Sequence, residues 1–338
     1  MNLLITGATG FIGSAFCQRL FDDPTVNFHT VYATVRDFSK VDSLPSEIKP
    51  LLVSSWQDLC DLFSSLPQID SVIHLAACVH QMTQCPDDVY KLINTDYTIA
   101  LAQAAVKNHV RRFIYMSTVK VIGEGDSDPE NRLPYDESTL PRPADGYSLS
   151  KWNAEQALID IAATSELEVV TLRPPLVYGP GVKANFLRLV QLAQSGLPLP
   201  LSAIQNQRSL IYIENLVDAM MACIIHPQAA NKTFLVTDGQ DLSTPELVTK
   251  IAAAAGHSCR LFPVPPAVVK LASVCGDAMG KVLGRPLPIS SETVTKLTSS
   301  LTVDSSKICR ELGWHPPFTV EEALAKTFKK SFVSKTVQ

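Results

Sequence analysis

Short runs of β-branched and aliphatic residues alternate with longer amphipathic segments through the first half of the chain. The runs predict strands at Asn2–Thr6, Thr30–Val35, Pro50–Val53, Ser71–Leu75, Arg112–Met116 and Val169–Leu172. Between them, apolar residues spaced by three and four predict helices at Phe11–Phe21, Trp56–Ser65, Asp88–Asn108 and Tyr147–Ala163. Strands that alternate with helices of this length form βαβ units. The expected class is therefore α/β, a doubly wound parallel sheet with helices on both faces.

The pattern changes after Arg173. Pro174, Pro175, Pro180 and Gly181 punctuate a loop-rich stretch, and Ala184–Gln194 then reads as a helix. Ser209–Ile213 and Thr233–Val236 read as strands on either side of a helix at Glu214–Ile225. Further on, Thr244 as N-cap and Pro245 at the first helical position predict a helix at Glu246–Ala255, stopped by Gly256. Ser305–Leu312 and Val320–Lys329 are the last predicted helices. This change suggests a first domain over 1–174, joined by 207–236. A smaller C-terminal domain would take 175–206 and 237–330, with 331–338 as a tail.

Composition narrows the class. Hydrophobic residues make up 46% of the 338 and charged residues 18%, enough to build a core. The formal net charge is −4 and no basic block occurs, so a nucleic-acid partner is not expected. A strand pattern begins at residue 2, with no charged and apolar leader before it. The apolar stretch Leu261–Ala278 is interrupted by Pro263, Pro265, Pro266, Lys270 and Asp277, so no transmembrane segment is expected. None of the eight cysteines has C-x-x-C spacing and no histidine cluster accompanies them. Free thiols in a reducing cytoplasm are expected, with no metal site.

The first strand runs through Gly7-Ala-Thr-Gly10-Phe11-Ile12-Gly13 directly into a helix. A dinucleotide pyrophosphate needs a tight turn, close backbone approach and exposed N–H groups at a helix N-terminus. Gly7 and Gly10 supply the first two, and Gly13 lets the helix pack closely. This makes the sheet Rossmann-type, the first domain dinucleotide-binding and the smaller one substrate-binding. The second strand ends Val35-Arg36-Asp37, with Lys40 nearby. Val35 stands where an NAD enzyme offers an acid, while Arg36 and Lys40 suit a 2′-phosphate. NADP(H) is therefore favoured as cofactor. NAD stays open, because a one-residue shift would put Asp37 in the acidic position.

Tyr147 and Lys151 lie four residues apart, on one face of a predicted helix. A free phenol titrates near pH 10, and a neighbouring ammonium favours the phenolate. The same lysine could bond a nicotinamide ribose. Ser117 and Thr118 end a predicted strand, where a hydroxyl could bond a substrate oxygen.

These motifs resemble the extended short-chain dehydrogenases/reductases, and within them the NAD-dependent epimerase/dehydratase family. The resemblance is carried by GATGFIG (7–13), VIHLAA (72–77), Asn94, MST (116–118), YSLSK (147–151), LRPPLVYGPG (172–181) and RSLIYIENLVDA (208–219). It implies Thr118, Tyr147 and Lys151 as the catalytic set. It implies a cofactor held by Gly7, Gly10, Phe11, Ile12, Gly13, Leu75, Ala76, Ala77, Asn94, Lys151 and Pro174. For substrate it implies Asn185 and Arg208 on the nucleotide diphosphate, with His80, Ser117 and Lys120 as further contacts. A homodimer through the helices Asp88–Asn108 and Tyr147–Ala163 is likewise implied. The nearest subgroup resembles UDP-glucose 4-epimerases and reductases of UDP-4-keto-6-deoxy-N-acetylglucosamine, enzymes of bacterial polysaccharide biosynthesis. Two departures stand out. Ser54, Ser55 and Trp56 occupy the place of an acid often found after the third strand, and no late phosphate-binding arginine occurs near Ser299–Asp304.

A UDP-sugar substrate is therefore expected, with chemistry at C4. A 4-keto reductase using NADPH and a 4-epimerase with tightly held NAD share every catalytic residue. Arg36 and Lys40 favour the reductase, whereas overall similarity favours the epimerase. A non-catalytic dinucleotide-binding regulator would not need Thr118, Tyr147 and Lys151 together. A reductase of flavonoid or steroid ketones would have no use for Asn185 and Arg208.

Overall fold

The computed structural model describes the chain except residues 23–27, 64, 80–85, 126–132, 183, 266–267, 270, 272, 275–276, 278–290 and 334–338. The side chains of 38, 56–57, 184–185, 292 and 330–333 also lie outside the description. In chain order the first half comprises β1 (Asn2–Thr6), α1 (Phe11–Arg19), β2 (Thr30–Val35), β3 (Ile48–Leu52), α2 (Trp56–Phe63), β4 (Ser71–His74), α3 (Asp87–Tyr90), α4 (Tyr97–Lys107), β5 (Arg112–Met116), α5 (Gly146–Ala163) and β6 (Glu168–Arg173). The second half comprises β7 (Leu176–Tyr178), α6 (Ala184–Gln194), β8 (Leu210–Tyr212), α7 (Ile213–Ile225), β9 (Lys232–Leu235), α8 (Thr244–Ala254), α9 (Ser291–Thr298), α10 (Ser306–Leu312) and α11 (Val320–Val333).

Seven strands form one parallel sheet in the order β3-β2-β1-β4-β5-β6-β9. This is the Rossmann-type sheet expected from the alternating pattern. β4 and β5 are buried at every position, as continuous apolar strands covered on both faces must be. Edge strand β3 carries Lys49 and Pro50, residues that discourage further pairing. Strand order reverses between β1 and β4, so a crevice opens there beyond the strands' C-terminal ends.

One face of the sheet packs on α1, α7 and α10 through Phe16, Cys17, Leu216, Met220 and Ile308. The other packs on α2, α4 and α5 through Leu59, Phe63, Leu101, Ala154 and Leu158. Arg112, wholly buried at the start of β5, fastens α7 to this sheet. Its Nη1 donates to the carbonyls of Cys223, Ile224 and His226 at 2.8–3.0 Å, and its Nε to Glu168 at 2.8 Å. A cation is thereby placed on the negative end of a helix.

A second core gathers Tyr178, Phe186, Tyr212, Leu247, Ile251 and Leu324 from β7, β8, α6, α8 and α11. Ile12, Ala15 and Val177 touch both cores. The expected strand Ser209–Ile213 is shorter and pairs with β7 in a separate two-stranded sheet. A strand-like run in sequence does not say which sheet it joins. The expected N-cap Thr244 is corrected to Ser243, whose hydroxyl and Glu246 close a capping box. Thr244 is instead buried, donating to the Leu297 carbonyl at 2.7 Å. The single helix expected over Asp88–Asn108 is interrupted by a π-helical turn at Lys91–Asp96.

Candidate active site

The crevice is walled by two loops, one after β1 and one after β4. Gly7 has φ +73°, and a Cβ there would lie 2.6 Å from the Ala76 nitrogen and 2.7 Å from the Leu75 carbonyl carbon. The left-handed conformation and the lack of space both demand glycine. A Cβ on Gly13 would sit 2.1 Å from the Gly7 oxygen, so α1 can start this close to the strand only with glycine. Gly10 is the exposed N-cap of α1, with no side-chain cap and no acid in the first turn. Phe11 and Ile12 follow it, half-buried against the second core.

At the end of β2, Arg36 and Lys40 are exposed. Asp37 is committed to its own turn: its carboxylate accepts the Ser39 amide at 2.9 Å and the Ser39 hydroxyl at 2.6 Å. These bonds, with Lys40, hold its pKa below the ordinary value.

Tyr147 sits in the first turn of α5, half-buried, with its ring edge-on to Tyr90 at 6.0 Å. Burial, then Asp145, Tyr90 and Cys78, push its phenol above the usual value. The shift is opposite to the one expected from Lys151. Lys151 is 2% exposed, and burial lowers its pKa to about 7, opposed by Glu155. Its ammonium makes no hydrogen bond or ion pair among the described residues; it lies 4.2 Å above the Tyr115 ring centre. Thr118 caps the tight turn Val119–Val121 after β5, and that turn packs on α5. Lys120 in the turn reaches Asp145, the N-cap of α5, at 3.1 Å, and Glu124 at 2.5 Å. The strand end and the start of the helix are thus tied together around Thr118 and Tyr147.

Asn94 lies in the π-helical turn, fully buried. Its amide clamps the loop after β4, accepting from Cys78 N at 2.8 Å and donating to Cys78 O at 2.9 Å. It also donates to Ser150 Oγ, beside Lys151, at 3.0 Å. Pro174 is buried at the end of β6, where its carbonyl accepts from Val119 N at 3.0 Å.

Ser117 is corrected as a substrate contact. Strand alternation turns it opposite to Thr118, and its hydroxyl donates to buried Glu155. Glu155 also receives the Arg173 guanidinium through Nε at 3.1 Å and through Nη2. Sequence reasoning missed this buried cluster. Its signal was present in the spacing: 147, 151 and 155 continue one helical face at intervals of four. His74 was missed as well. Its Nδ1 bonds Thr6 Oγ1 at 2.7 Å and its Nε2 bonds Thr98 Oγ1 at 2.9 Å. Thr98 gives its own proton to the Asn94 carbonyl, and Thr6 accepts from Ala76 N. The chain therefore runs one way, with the His74 proton on Nε2. Burial, then Lys151, lowers its pKa to about 3.

Of the remaining predicted substrate contacts, Arg208 donates through Nη1 to the carbonyls of Lys296, at 2.7 Å, and Ser299 beyond the end of α9. The chain from Ser299 to Leu301 lies against it, and Glu124 acts on its charge. Lys120, Glu124 and Arg208 thus belong to one charged neighbourhood. Asn185 lies in the first turn of α6, with its side chain outside the description, and His80 lies outside the described residues.

The NAD dependent epimerase/dehydratase family pattern matches residues 3–236. The chain belongs to this family. It is 39% identical to a UDP-glucose 4-epimerase of Vibrio cholerae over 96% of this chain and 94% of that one. It is 25% identical to an N-acetyl-alpha-D-glucosaminyl-diphospho-ditrans,octacis-undecaprenol 4-epimerase of Escherichia coli O157:H7 over 98% and 96%. Its fold matches that of UDP-glucuronic acid 4-epimerase from Bacillus cereus, solved in complex with NAD, at TM-score 0.74 and 19% identity over all of both chains.

As a member of the epimerase/dehydratase family the protein is an enzyme of the extended short-chain dehydrogenase/reductase type. The residues present fit a dinucleotide: side chains at 7 and 13 would fill the cradle, and Gly10 leaves the α1 N-terminus uncapped. Lys151 keeps three unspent donors beside it. Among the described residues no helix is long and apolar enough to cross a membrane, and no group of three His, Cys, Asp or Glu could hold a metal.

Proposed function

We propose that this enzyme inverts C4 of a UDP-hexose or UDP-N-acetylhexosamine. The observation that carries the reading is the buried, hydrogen-bond-free Lys151 ammonium one turn from Tyr147, in a chain 39% identical to a UDP-glucose 4-epimerase. Residues 1–174 with 207–236 would bind the dinucleotide, and 175–206 with 237–330 the sugar nucleotide.

Gly7, Gly10, Phe11, Ile12 and Gly13 would hold the dinucleotide pyrophosphate, and Leu75, Ala76, Ala77 and Pro174 would line the nicotinamide end. When bound, the nicotinamide supplies hydride acceptance and return at C4. With the Lys151 ammonium and the positive ring of the bound cofactor favouring its phenolate, Tyr147 Oη would take the proton of the C4 hydroxyl and later restore it, while Thr118 Oγ1 would orient that oxygen. Lys151 donates to the ribose and places positive charge beside Tyr147. Asn94 acts by holding the Cys78 backbone and Ser150. Arg208 and Asn185 would meet the diphosphate, with Lys120 and His80 nearer the sugar. The relative from Escherichia coli carries a lipid-linked diphospho-sugar in its name, so the diphosphate is the shared recognition element.

A second reading, reduction of a UDP-4-keto-6-deoxy-hexosamine with NADPH, is favoured by one observation. Arg36 is exposed at the end of β2, while Asp37 is spent on Ser39 and poorly placed to receive a ribose hydroxyl. Purified enzyme incubated with UDP-glucose and with UDP-N-acetylglucosamine, without added cofactor, separates the two. C4 inversion seen by proton NMR, with NAD released on denaturation, is the expected result. No inversion, an empty site and NADPH-dependent consumption of the 4-keto sugar would establish the reductase. We also propose a cytoplasmic homodimer through the helical segments 88–108 and 147–163, supported by exposed Leu92, Leu149 and Ile159. Sedimentation tests it.

A further inference from the structure

Strand register lines up a row across the C-terminal ends of the sheet, on the face covered by α4 and α5. Thr6 pairs with His74, His74 with Tyr115, and Tyr115 with Thr171. The next row down that face is Tyr32, Leu4, Val72, Phe113 and Val169. Across β1, β4, β5 and β6 the lower row is apolar, and polar side chains enter in the row where α5 brings Lys151 against Tyr115.

Within this row Tyr115 is wholly buried, stacked on His74 at 5.9 Å and 17°, with the Lys151 ammonium 4.2 Å above its centre. Burial, Glu155 and Tyr147 hold its phenol well above the ordinary value, so the ring is neutral. A buried ammonium without an ion pair is costly, and an aromatic face compensates part of that cost. We propose that Tyr115 is a positioning residue, whose ring face holds the Lys151 ammonium protonated and in place beside Tyr147. His74 fixes the ring in turn, being locked between Thr6 and Thr98. The row therefore couples the loop after β4, through Ala76 and Thr6, to the proton-transfer pair.

Other charged and titratable groups face Lys151. Glu155, one turn along α5, favours the ammonium, and its carboxylate is shared with Arg173 of β6 and Ser117 of β5. His74 of β4 stays neutral, and Tyr147 lies on the same helix. None of these residues is itself altered when Tyr115 alone is replaced, and Tyr115→Phe keeps the ring on which His74 stacks. The inference rests on the reading of Lys151 given above, but its test does not need turnover.

The test compares Tyr115→Leu and Tyr115→Phe in protein carrying ¹³Cε-labelled lysine, with Lys151→Arg assigning the resonance. The wild-type resonance should titrate near pH 7, and Tyr115→Phe, which keeps the ring face, should titrate with it. Tyr115→Leu should lower the midpoint by about half a pH unit or more, in folded protein checked by its melting curve. An unchanged midpoint in Tyr115→Leu, or equal shifts in both variants, would overturn the proposal. Where Tyr115→Leu does not fold, Tyr115→Met serves as the ring-free variant. Activity read in parallel keeps the two claims apart. A shifted midpoint in a protein inactive on every UDP-sugar leaves the platform standing and rejects the substrate reading.

Discussion

The two faces of the central sheet are built differently. Toward α1 and α7 the rows run Ala33, Ile5, Ile73, Ile114 and Val170, with Lys232 at the β9 edge, then Met116, Leu172 and Phe234, apolar at the C-terminal strand ends. Toward α4 and α5 the final row is Thr6, His74, Tyr115 and Thr171. At this end the first face contributes burial, and its directional bonds, from Arg112 to the end of α7, lie at the opposite end of the strands. The second gives up apolar area at the one level where side chains must be oriented, and makes up for it with directional bonds. The two faces of one sheet thus divide stability from proton transfer.

Substitutions on each face should separate these roles. Tyr147→Phe, on the polar side, should lower kcat by about 10²–10⁴-fold with an unchanged melting temperature. An activity assay beside a melting curve checks both. Phe16→Ala, on the apolar side, should show the reverse. Loss of this fully buried ring costs about 3–5 kcal/mol in urea unfolding, while kcat of the folded fraction stays at the wild-type level. Thr98→Val removes the hydroxyl that accepts the His74 Nε2–H. A cost of about 1–3 kcal/mol is expected, and a fully neutral substitution would show that His74 is not locked. A further effect is pH-dependent. Folded His74 stays neutral down to about pH 3, whereas in the unfolded chain it protonates below about 6.5. The unfolded state then binds the extra proton, so stability should fall as pH falls from 6.5 toward 3, by roughly 1.4 kcal/mol per unit. In His74→Gln this part of the slope should vanish.

Much of this was legible before any coordinates. β1, β2, β5 and α6 match their expected limits, because alternation and apolar spacing are local properties. The glycine loop was legible because only glycine tolerates φ +73° at 7 and the approach at 13. What failed was whatever depended on partners. The π-helical turn carries Asn94, which bonds the Cys78 backbone sixteen residues away. Ser117 was assigned to substrate because a strand-end hydroxyl looks available, until Glu155 is seen to take it. β8 was expected as a strand, but its separation from the main sheet depends on the register of β7.

The sequence by itself determined the periodicity of each element, the glycine-dependent turn after β1, and the placing of Tyr147 and Lys151 on one helical face. Those depend on neighbours within a few residues. Only the tertiary structure decided which hydroxyls remain for a ligand, that His74 is neutral with its proton on Nε2, and that Lys151 rests on Tyr115. Burial and partner geometry are set by residues far apart in the chain, brought together only when the sheet closes against α4 and α5.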